Sequence, residues 1–310
     1  MPELPEVTTT VNGLQKVLPK LKIVSVWTDL DKKNQKIKHF KNTIKDEKFF
    51  NYFKSKTIGQ NVINVERRAK NILINISGGH TILIHLKMTG HLLYGKYDFN
   101  EKKNYWTPTK GEKESLFDPF NKYIHFVITF SNGKHLAFCD SRKFGKVTII
   151  RESEIENTTH LSNIGPEPLD KSFTLEKFKT RLLLKPKWKI KTVLMDQSVI
   201  AGIGNIYSDE MLWSSGIHPE SNPSKIPSVV LAKLYKEMKD VLVKGIDFGG
   251  DSMSDYRNID GLRGEFQHHH NVYQKKNEEC GKKNCKGVII RRVINGRSAH
   301  FCNIHQKLFN

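Results

Sequence analysis

The hydrophobic pattern of this chain changes its period once, at SNIGPEPLD (162–170), and that change decides the architecture. Upstream, apolar residues come in short alternating or continuous runs: NILINI (71–76), TILIHL (81–86), and FVITF and HLAFCD on either side of the turn signal SNGK at 131–134. Such runs, broken by Asn-Gly, read as antiparallel strands. Downstream the apolar residues recur at helical spacing. In SVVLAKLYKEMKDVLVKG (228–245), Val230, Leu231, Leu234, Met238, Val241 and Leu242 form one face. Segments 174–185, 188–196 and about 205–214 also read as helices. The two prolines and the glycine of 162–170 mark a linker. At 310 residues the chain is long enough for a sizeable core and for two domains.

The mainly β first half opens on a helix. Val7, Val11, Leu14 and Leu18 share a face, Pro5 suits a first helical turn, and Pro19 stops the run. Residues 29–54 are rich in Lys and Asn and read as a surface excursion that could be helical. The polar, turn-rich stretch 96–120 is expected to be a loop, and the Gly-rich stretch 249–267 a long mobile one.

Lys and Arg number 51 against 32 acids, a net charge of +19. That surplus calls for a polyanionic partner, nucleic acid or an anionic membrane surface. No apolar run approaches the roughly 18–20 residues of a membrane span, and no signal peptide opens the chain. A soluble, intracellular protein is expected.

Three local constellations carry chemistry. In MPELPEV (1–7), a small second residue permits removal of Met1, leaving Pro2 with a free secondary amine of reference pKa about 8. The positive end of the following helix disfavours its ammonium form. An uncharged amine attacks an aldehyde-like carbon and yields an electron-withdrawing iminium, with Glu3 and Glu6 in reach for proton transfer or for anchoring the terminus. The same residues also read as a capped helix start with ordinary surface glutamates, and this stretch alone leaves both open. In IAGIGNIYSDEML (200–212), a Gly-x-Gly-Asn turn opening a helix offers N–H groups and an amide to an anion. It lacks the third glycine of a dinucleotide fingerprint, and in isolation it is a plain helix–helix turn. In the tail, Cys280 and Cys285 (CGKKNC) and Cys302 and His305 (HFCNIH) make Cys-x4-Cys, sixteen intervening residues, then Cys-x2-His. Two close pairs across a hairpin-length spacer suit tetrahedral zinc held by three sulfurs and one imidazole, with His300 as a worse-placed competitor.

Taken together, MPELPEV, RRAKNILI (67–74), HLKMTGHL (85–92), DSRKFG (140–145), GPEPL (165–169), LMDQSVIAGIGNIYSDE (194–210), GGDSMSDYRN (249–258) and GRSAHFC (296–302) resemble the formamidopyrimidine-DNA glycosylase / endonuclease VIII family of base-excision repair enzymes. The resemblance spans nearly the whole chain apart from 29–54 and 96–120. It implies an α+β multidomain protein. An N-terminal β-sandwich with a leading helix (1–160) and a linker (161–172) would precede a helix–two-turn–helix DNA-binding domain (173–270) and a zinc hairpin (271–310). It also implies a bifunctional glycosylase and AP lyase, acting as a monomer on duplex DNA that contains oxidised bases or abasic sites, with one structural zinc.

By the same resemblance, the Pro2 amine attacks the sugar C1′ and forms a Schiff base. Glu3 is general acid and base, and the strand is cut by β- and δ-elimination. Lys70 lines the site and assists catalysis, Glu6 orders the terminus, and Lys191, Asn205 and Arg297 grip phosphates. Since the damaged nucleotide must leave the stack, Met88, Arg142 and Phe144 are expected to fill the gap. Seen in isolation, Met88 and Phe144 would pass for core residues. Leu4, the Arg142–Phe144 pair and a lid carrying Ser252, Ser254 and Tyr256 favour oxidised purines such as 8-oxoguanine and formamidopyrimidines. Two rivals remain, an endonuclease VIII-like enzyme for oxidised pyrimidines and a non-catalytic zinc-containing binder of damaged DNA. The chain departs from the family pattern in Cys-x4-Cys for Cys-x2-Cys, in His305 for a fourth cysteine, in Ser141 for proline, and in keeping only His125 of two histidines in YIH (123–125). The Lys-rich stretch has no counterpart.

Overall fold

The helical spacing at the N-terminus becomes α1 (Leu4–Val17), which buries Val7, Val11 and Leu14 and carries Pro5 in its first turn. It packs on a sandwich of two antiparallel sheets. The computed structural model describes residues 1–33, 37, 40–155 and 157–310, and the chain divides into one unit of residues 1–162 and 248–265 and another of 163–247 and 266–310.

In the first unit, one sheet has the order β1 (Ile23–Thr28), β8 (Ile124–Phe130), β9 (His135–Cys139) and β5 (His91–Gly95). The other has the order β10 (Lys146–Arg151), β4 (His80–His85), β3 (Asn71–Ile76) and β2 (Val62–Arg68). Register sets Ile72 opposite Ile84 and Ile74 opposite Ile82. Their common face joins Val65 and Val147 to Phe126, Ile128, Leu136 and Phe138 of the other sheet in one core. Alternation makes this possible, since every second side chain of a strand reaches the same face.

Two expectations are corrected here. The stretch 96–120 is not a plain loop: it holds a hairpin of β6 (Tyr97–Asn100) and β7 (Tyr105–Pro108). Phe99 and Trp106 pack at 5.0 Å between ring centroids, and both lie against Trp27 of β1. Aromatic contacts across the sequence, not a local pattern, stabilise this ribbon. The stretch 249–267, expected as a mobile loop of the helical domain, belongs up to Glu265 to the first unit, where it is hydrogen-bonded to α1. In the Lys-rich segment, α2 (Glu47–Thr57) is helical, with Asp46 accepting the Phe49 N–H at 2.9 Å as its cap. The part of the excursion at 34–36, 38 and 39 lies outside the described residues.

The second unit holds α3 (Leu175–Leu182), α4 (Ile190–Met195), α5 (Asn205–Ser215), α6 (Ser228–Asp247) and the hairpin β11 (Ile289–Ile294)–β12 (Arg297–Cys302). Helix α5 is buried on nearly every side, acids included. Its Glu210, 1% exposed, accepts from the backbone N–H groups of Asn271, Val272 and Tyr273 at 2.9, 3.0 and 2.9 Å. One carboxylate therefore satisfies three consecutive donors of an irregular segment, which otherwise have no ladder to join. No helix among the described residues is long and apolar enough to cross a membrane.

Glu210→Ala would strand those donors. Urea unfolding should show a loss of at least about 3 kcal/mol, since each buried donor left unpaired costs roughly 1–3 kcal/mol. A loss below about 1 kcal/mol would show that water replaces the carboxylate.

Candidate active site and metal centre

At the N-terminus, Glu3 has extended backbone angles and caps α1, and Pro2, Glu3 and Glu6 are all buried. The Glu6 carboxylate accepts from the Glu3 N–H at 2.7 Å with Oε2, and from the Asp251 N–H at 2.7 Å with Oε1. The chain start and the 249–264 segment thus hang on one side chain. Gly250 makes this approach possible. Its φ is +87°, and a Cβ there would lie 2.8 Å from Glu6 Cγ. Tyr256 follows, buried, with its hydroxyl donating to the Glu6 carbonyl at 2.9 Å, and burial pushes its phenol pKa well up.

That geometry revises the lid. Tyr256 is no exposed DNA contact, because its hydroxyl is engaged behind the terminus. Ser252 is equally buried, donating to the Tyr256 carbonyl and accepting from the Gly264 N–H, both at 2.8 Å. Met253 and Ser254 are left as the exposed tip. Lys70 sits buried in the tight turn between β2 and β3.

The three expected wedge residues lie on two neighbouring loops. Met88 is half-buried, while Arg142 and Phe144 are exposed, Phe144 by 48%, which excludes a core role for it. The Arg142 guanidinium lies over the Phe144 ring at 4.6 Å. Asp140, which sequence reasoning passed over, joins the two loops. It accepts from the Thr89 hydroxyl beside Met88, from the Arg142 N–H at 3.3 Å and from the Gly145 N–H at 2.6 Å. The signal was present in the sequence, as an Asp opening the turn DSRKFG is well suited to bond the N–H groups that follow it.

In the second unit, Asn205 opens α5 behind Gly204, and its buried amide oxygen has no partner among the described residues. The Gln197 side chain braces the turn before it, accepting from the Gly202 N–H and donating to the Ile203 carbonyl, both at 2.8 Å. Arg297 stands exposed at the β11–β12 turn and lines a cavity of about 260 Å³ with Trp188, Thr192 and Asn295. Lys191 lines it too, yet its side chain is 1% exposed and its ammonium is bound to Asp209 and to the Ser298 carbonyl. The expected phosphate grip by Lys191 is therefore replaced by a structural bond between α4, α5 and β12.

The tail brings Cys280, Cys285, Cys302 and His305 together, with all four ligand atoms within 4.8 Å of one another. His305 Nε2 lies 2.9 Å from the Trp213 carbonyl, which holds the proton on that nitrogen and turns Nδ1 toward Cys280 Sγ at 3.0 Å. N–H groups point at the sulfurs: Trp213 Nε1 at Cys280 (3.3 Å), Gly287 at Cys285 (3.3 Å) and Ile304 at Cys302 (3.4 Å). A Cβ at Gly287 would meet Cys302 Sγ at 2.4 Å. The longer Cys-x4-Cys knuckle closes through Gly281 and Asn284, both at positive φ. His300 is not a ligand, since Asp209 holds its backbone N–H at 2.9 Å and its ring at 3.2 Å. Three sulfurs and one imidazole nitrogen form a donor set that fits a tetrahedral metal ion.

Comparison with known proteins agrees with this geometry. The pattern of the formamidopyrimidine-DNA glycosylase N-terminal domain matches residues 1–147, and that of the formamidopyrimidine-DNA glycosylase H2TH domain matches 164–257. The chain belongs to the formamidopyrimidine-DNA glycosylase family. The formamidopyrimidine-DNA glycosylase of Pelotomaculum thermopropionicum is 34% identical over 99% of this chain and 100% of its own length, and that of Bacillus subtilis 33% over 97% and 98%. Among solved structures, the Lactococcus lactis family member in complex with abasic-site DNA has a TM-score of 0.80 at 27% identity, covering 98% of this chain and 99% of that one. A variant of the same enzyme with DNA containing Fapy-dG has a TM-score of 0.81 at 28% identity, covering 99% and 100%.

Glu6→Gln offers one acceptor to the two N–H groups that Glu6 now serves. We expect a loss of roughly 2 kcal/mol in urea unfolding and faster proteolysis within 250–258. Unchanged proteolysis would show that Glu6 does not hold that segment.

Proposed function

We propose that this protein is a DNA glycosylase that excises oxidised purines from duplex DNA, and that it also cuts the strand as an AP lyase through an iminium formed by Pro2. The observation that carries the reading is the buried start of the chain, fixed by the two Glu6 hydrogen bonds at 2.7 Å. The Glu3 bond alone would be a capping box; the second bond, to Asp251, ties the same carboxylate to a distant segment and holds the chain start as an amine nucleophile needs. The relatives' names and the DNA in the solved complexes support the substrate class.

Once Met1 is removed, the Pro2 nitrogen attacks C1′ of the flipped nucleotide, and the base leaves with the bonding pair and takes up a proton. Glu3 protonates the ring oxygen as the sugar opens. The iminium acidifies the C2′ hydrogen, so β-elimination releases the 3′ phosphate and δ-elimination the 5′ phosphate. Met88, Arg142 and Phe144 would occupy the vacated stack, and Asn205 and Arg297 would hold phosphates, with the α5 N-terminus contributing its backbone N–H groups. Zinc held by Cys280, Cys285, Cys302 and His305 would supply structure only, anchoring the hairpin that carries Arg297.

Borohydride should trap wild-type protein on abasic-site DNA, and peptide mapping of the adduct by mass spectrometry should place the sugar on the Pro2 nitrogen. An adduct on a lysine such as Lys70 would transfer the nucleophile there. Single-turnover rates should favour 8-oxoguanine over thymine glycol, and the reverse order would place the enzyme with those for oxidised pyrimidines.

Elemental analysis should find one zinc per chain. Cys302→Ser should lose it together with DNA affinity, while His300→Ala should keep it. Zinc retained by Cys302→Ser would refute the ligand set.

A further inference from the structure

Asp118 enters no step of the proposed chemistry, yet it meets the segment that carries the exposed tip of Met253 and Ser254. It lies between two short 3-10 turns, Glu114–Phe117 and Pro119–Lys122, and its Oδ1 accepts the Phe120 N–H at 2.8 Å. Leu116 of the first turn is buried with Leu93 of β5 and Ala137 of β9. Asn121 of the second is buried too. Its amide donates to the Ser115 carbonyl at 2.9 Å, its Oδ1 lies 2.8 Å from His91 Nε2, and its carbonyl accepts from Cys139 at 3.1 Å. Both turns are thus fixed to the sheet, and Asp118 with them.

Arg257 is the group that Asp118 holds. Its side chain is 3% exposed, Nε and Nη2 each donate to Asp118 Oδ2 at 3.1 Å, and its guanidinium lies over the Phe120 ring at 4.8 Å. A cation buried this far requires its carboxylate. The third nitrogen, Nη1, donates to the Ser254 and Tyr256 carbonyls, both at 2.9 Å. The ends of this segment are anchored elsewhere, by the Asp251 N–H on Glu6 before the tip and by the Tyr94 N–H on the Ile259 carbonyl after it, at 2.7 Å each. Between them the Met253 N–H closes on Asp251 at 3.1 Å, Asp255 accepts from Ser141 at 3.4 Å, and Arg257 fixes the Ser254 carbonyl. The tip therefore leaves from the same carboxylate that holds the chain start.

We propose that Asp118 and Arg257 are positioning residues for base excision, setting the Ser254 carbonyl and the 253–255 tip against the flipped base. The proposal rests on the glycosylase reading. A flipped base is read by hydrogen bonds to its edge, and a backbone carbonyl accepts in the direction that its own partners impose. Asp118→Asn keeps Oδ1 for the Phe120 N–H but turns an amide NH2 toward the guanidinium. Arg257 then loses its carboxylate, and the tip loses its fixed carbonyl. An abasic nucleotide has no base to place, so its cleavage does not draw on the tip.

Single-turnover excision of 8-oxoguanine, set against strand cleavage at a preformed abasic site, tests the pair. Asp118→Asn should slow excision about 10–100-fold and leave abasic-site cleavage within about twofold of wild type. Arg257→Lys should do the same, and the double variant should lose no more than Arg257→Lys alone. Lys113→Gln, which removes only an exposed pair with Asp260, should change neither rate. Equal losses on the two substrates, or unchanged excision by an Asp118→Asn protein that melts with the wild type, would overturn the proposal. Amide hydrogen exchange of the free protein gives an arm that needs no substrate: Asp118→Asn should speed exchange at 252–256 about tenfold, and unaltered exchange would overturn the proposal as well. Wild-type protein faster on thymine glycol than on 8-oxoguanine would sink the purine reading alone, and the excision comparison is then made on thymine glycol. Wild-type protein that excises neither base would sink the pair's role in excision together with the glycosylase reading, even with exchange dependent on Asp118.

Discussion

The buried carboxylate of Glu6 is what the first unit's site depends on. Both oxygens are used, one on the chain start and one on a segment some 245 residues later. Charge-assisted bonds of this kind contribute about 1.5–3 kcal/mol each, and a buried carboxylate survives only where they offset its desolvation. The grip then spreads. Thr10 and Tyr256 both donate to the Glu6 carbonyl, at 2.9 Å each. Arg257 pairs with Asp118 at 3.1 Å and lies over Phe120 at 4.8 Å. A terminus that would ordinarily fray is thereby held at Glu3 and Glu6, as a nucleophile at Pro2 would require.

The second unit solves a related problem with two adjacent acids. On a helix, neighbouring residues point about 100° apart, so Asp209 and Glu210 serve different elements. Asp209 binds Lys191 of α4 and His300 of β12, and Glu210 collects the 271–273 backbone. One turn further, Trp213 orients His305 with its carbonyl and bonds Cys280 with its indole. The helix whose first residue is Asn205 thus also fixes the metal ligands and the strand that begins at Arg297. Loss of metal would reach the Asn205 end through this one helix.

What could be read from the chain was what is local. Strands 71–76 and 81–86, the helical runs and the cysteine spacing all announce themselves within a few residues, and the structure has them where the periodicity puts them. What could not be read depends on distant partners. The β6–β7 ribbon needs Trp27, and the placement of 248–265 needs Glu6. Lys191 and Tyr256 resemble exposed contacts in type and motif, and only Asp209 and the Glu6 carbonyl reveal them as supports. His305 and His300 were equally a matter of partners, decided by Trp213 and Asp209.

The two loops that carry Met88, Arg142 and Phe144 show how exposure and rigidity are reconciled. A side chain that enters a base stack must be solvent-facing beforehand, yet a floppy loop would lose much of its binding energy to ordering. Each loop places a lysine in the left-handed region, Lys87 (φ 56°) just before Met88 and Lys143 (φ 57°) just before Phe144. Such a residue reverses the chain and lifts the next side chain off the sheet, at a cost of order 1 kcal/mol. The surroundings overdetermine both kinks. The Gly90 N–H closes on the Leu86 carbonyl at 3.1 Å, and Asp140 holds both sides of the second turn while reaching Thr89 of the first. The backbone is tied down by bonds within the loops themselves, and the Arg142 and Phe144 tips stay exposed. An exposed Phe144 is thus the visible end of a braced pair of turns, whose shared brace is a single aspartate.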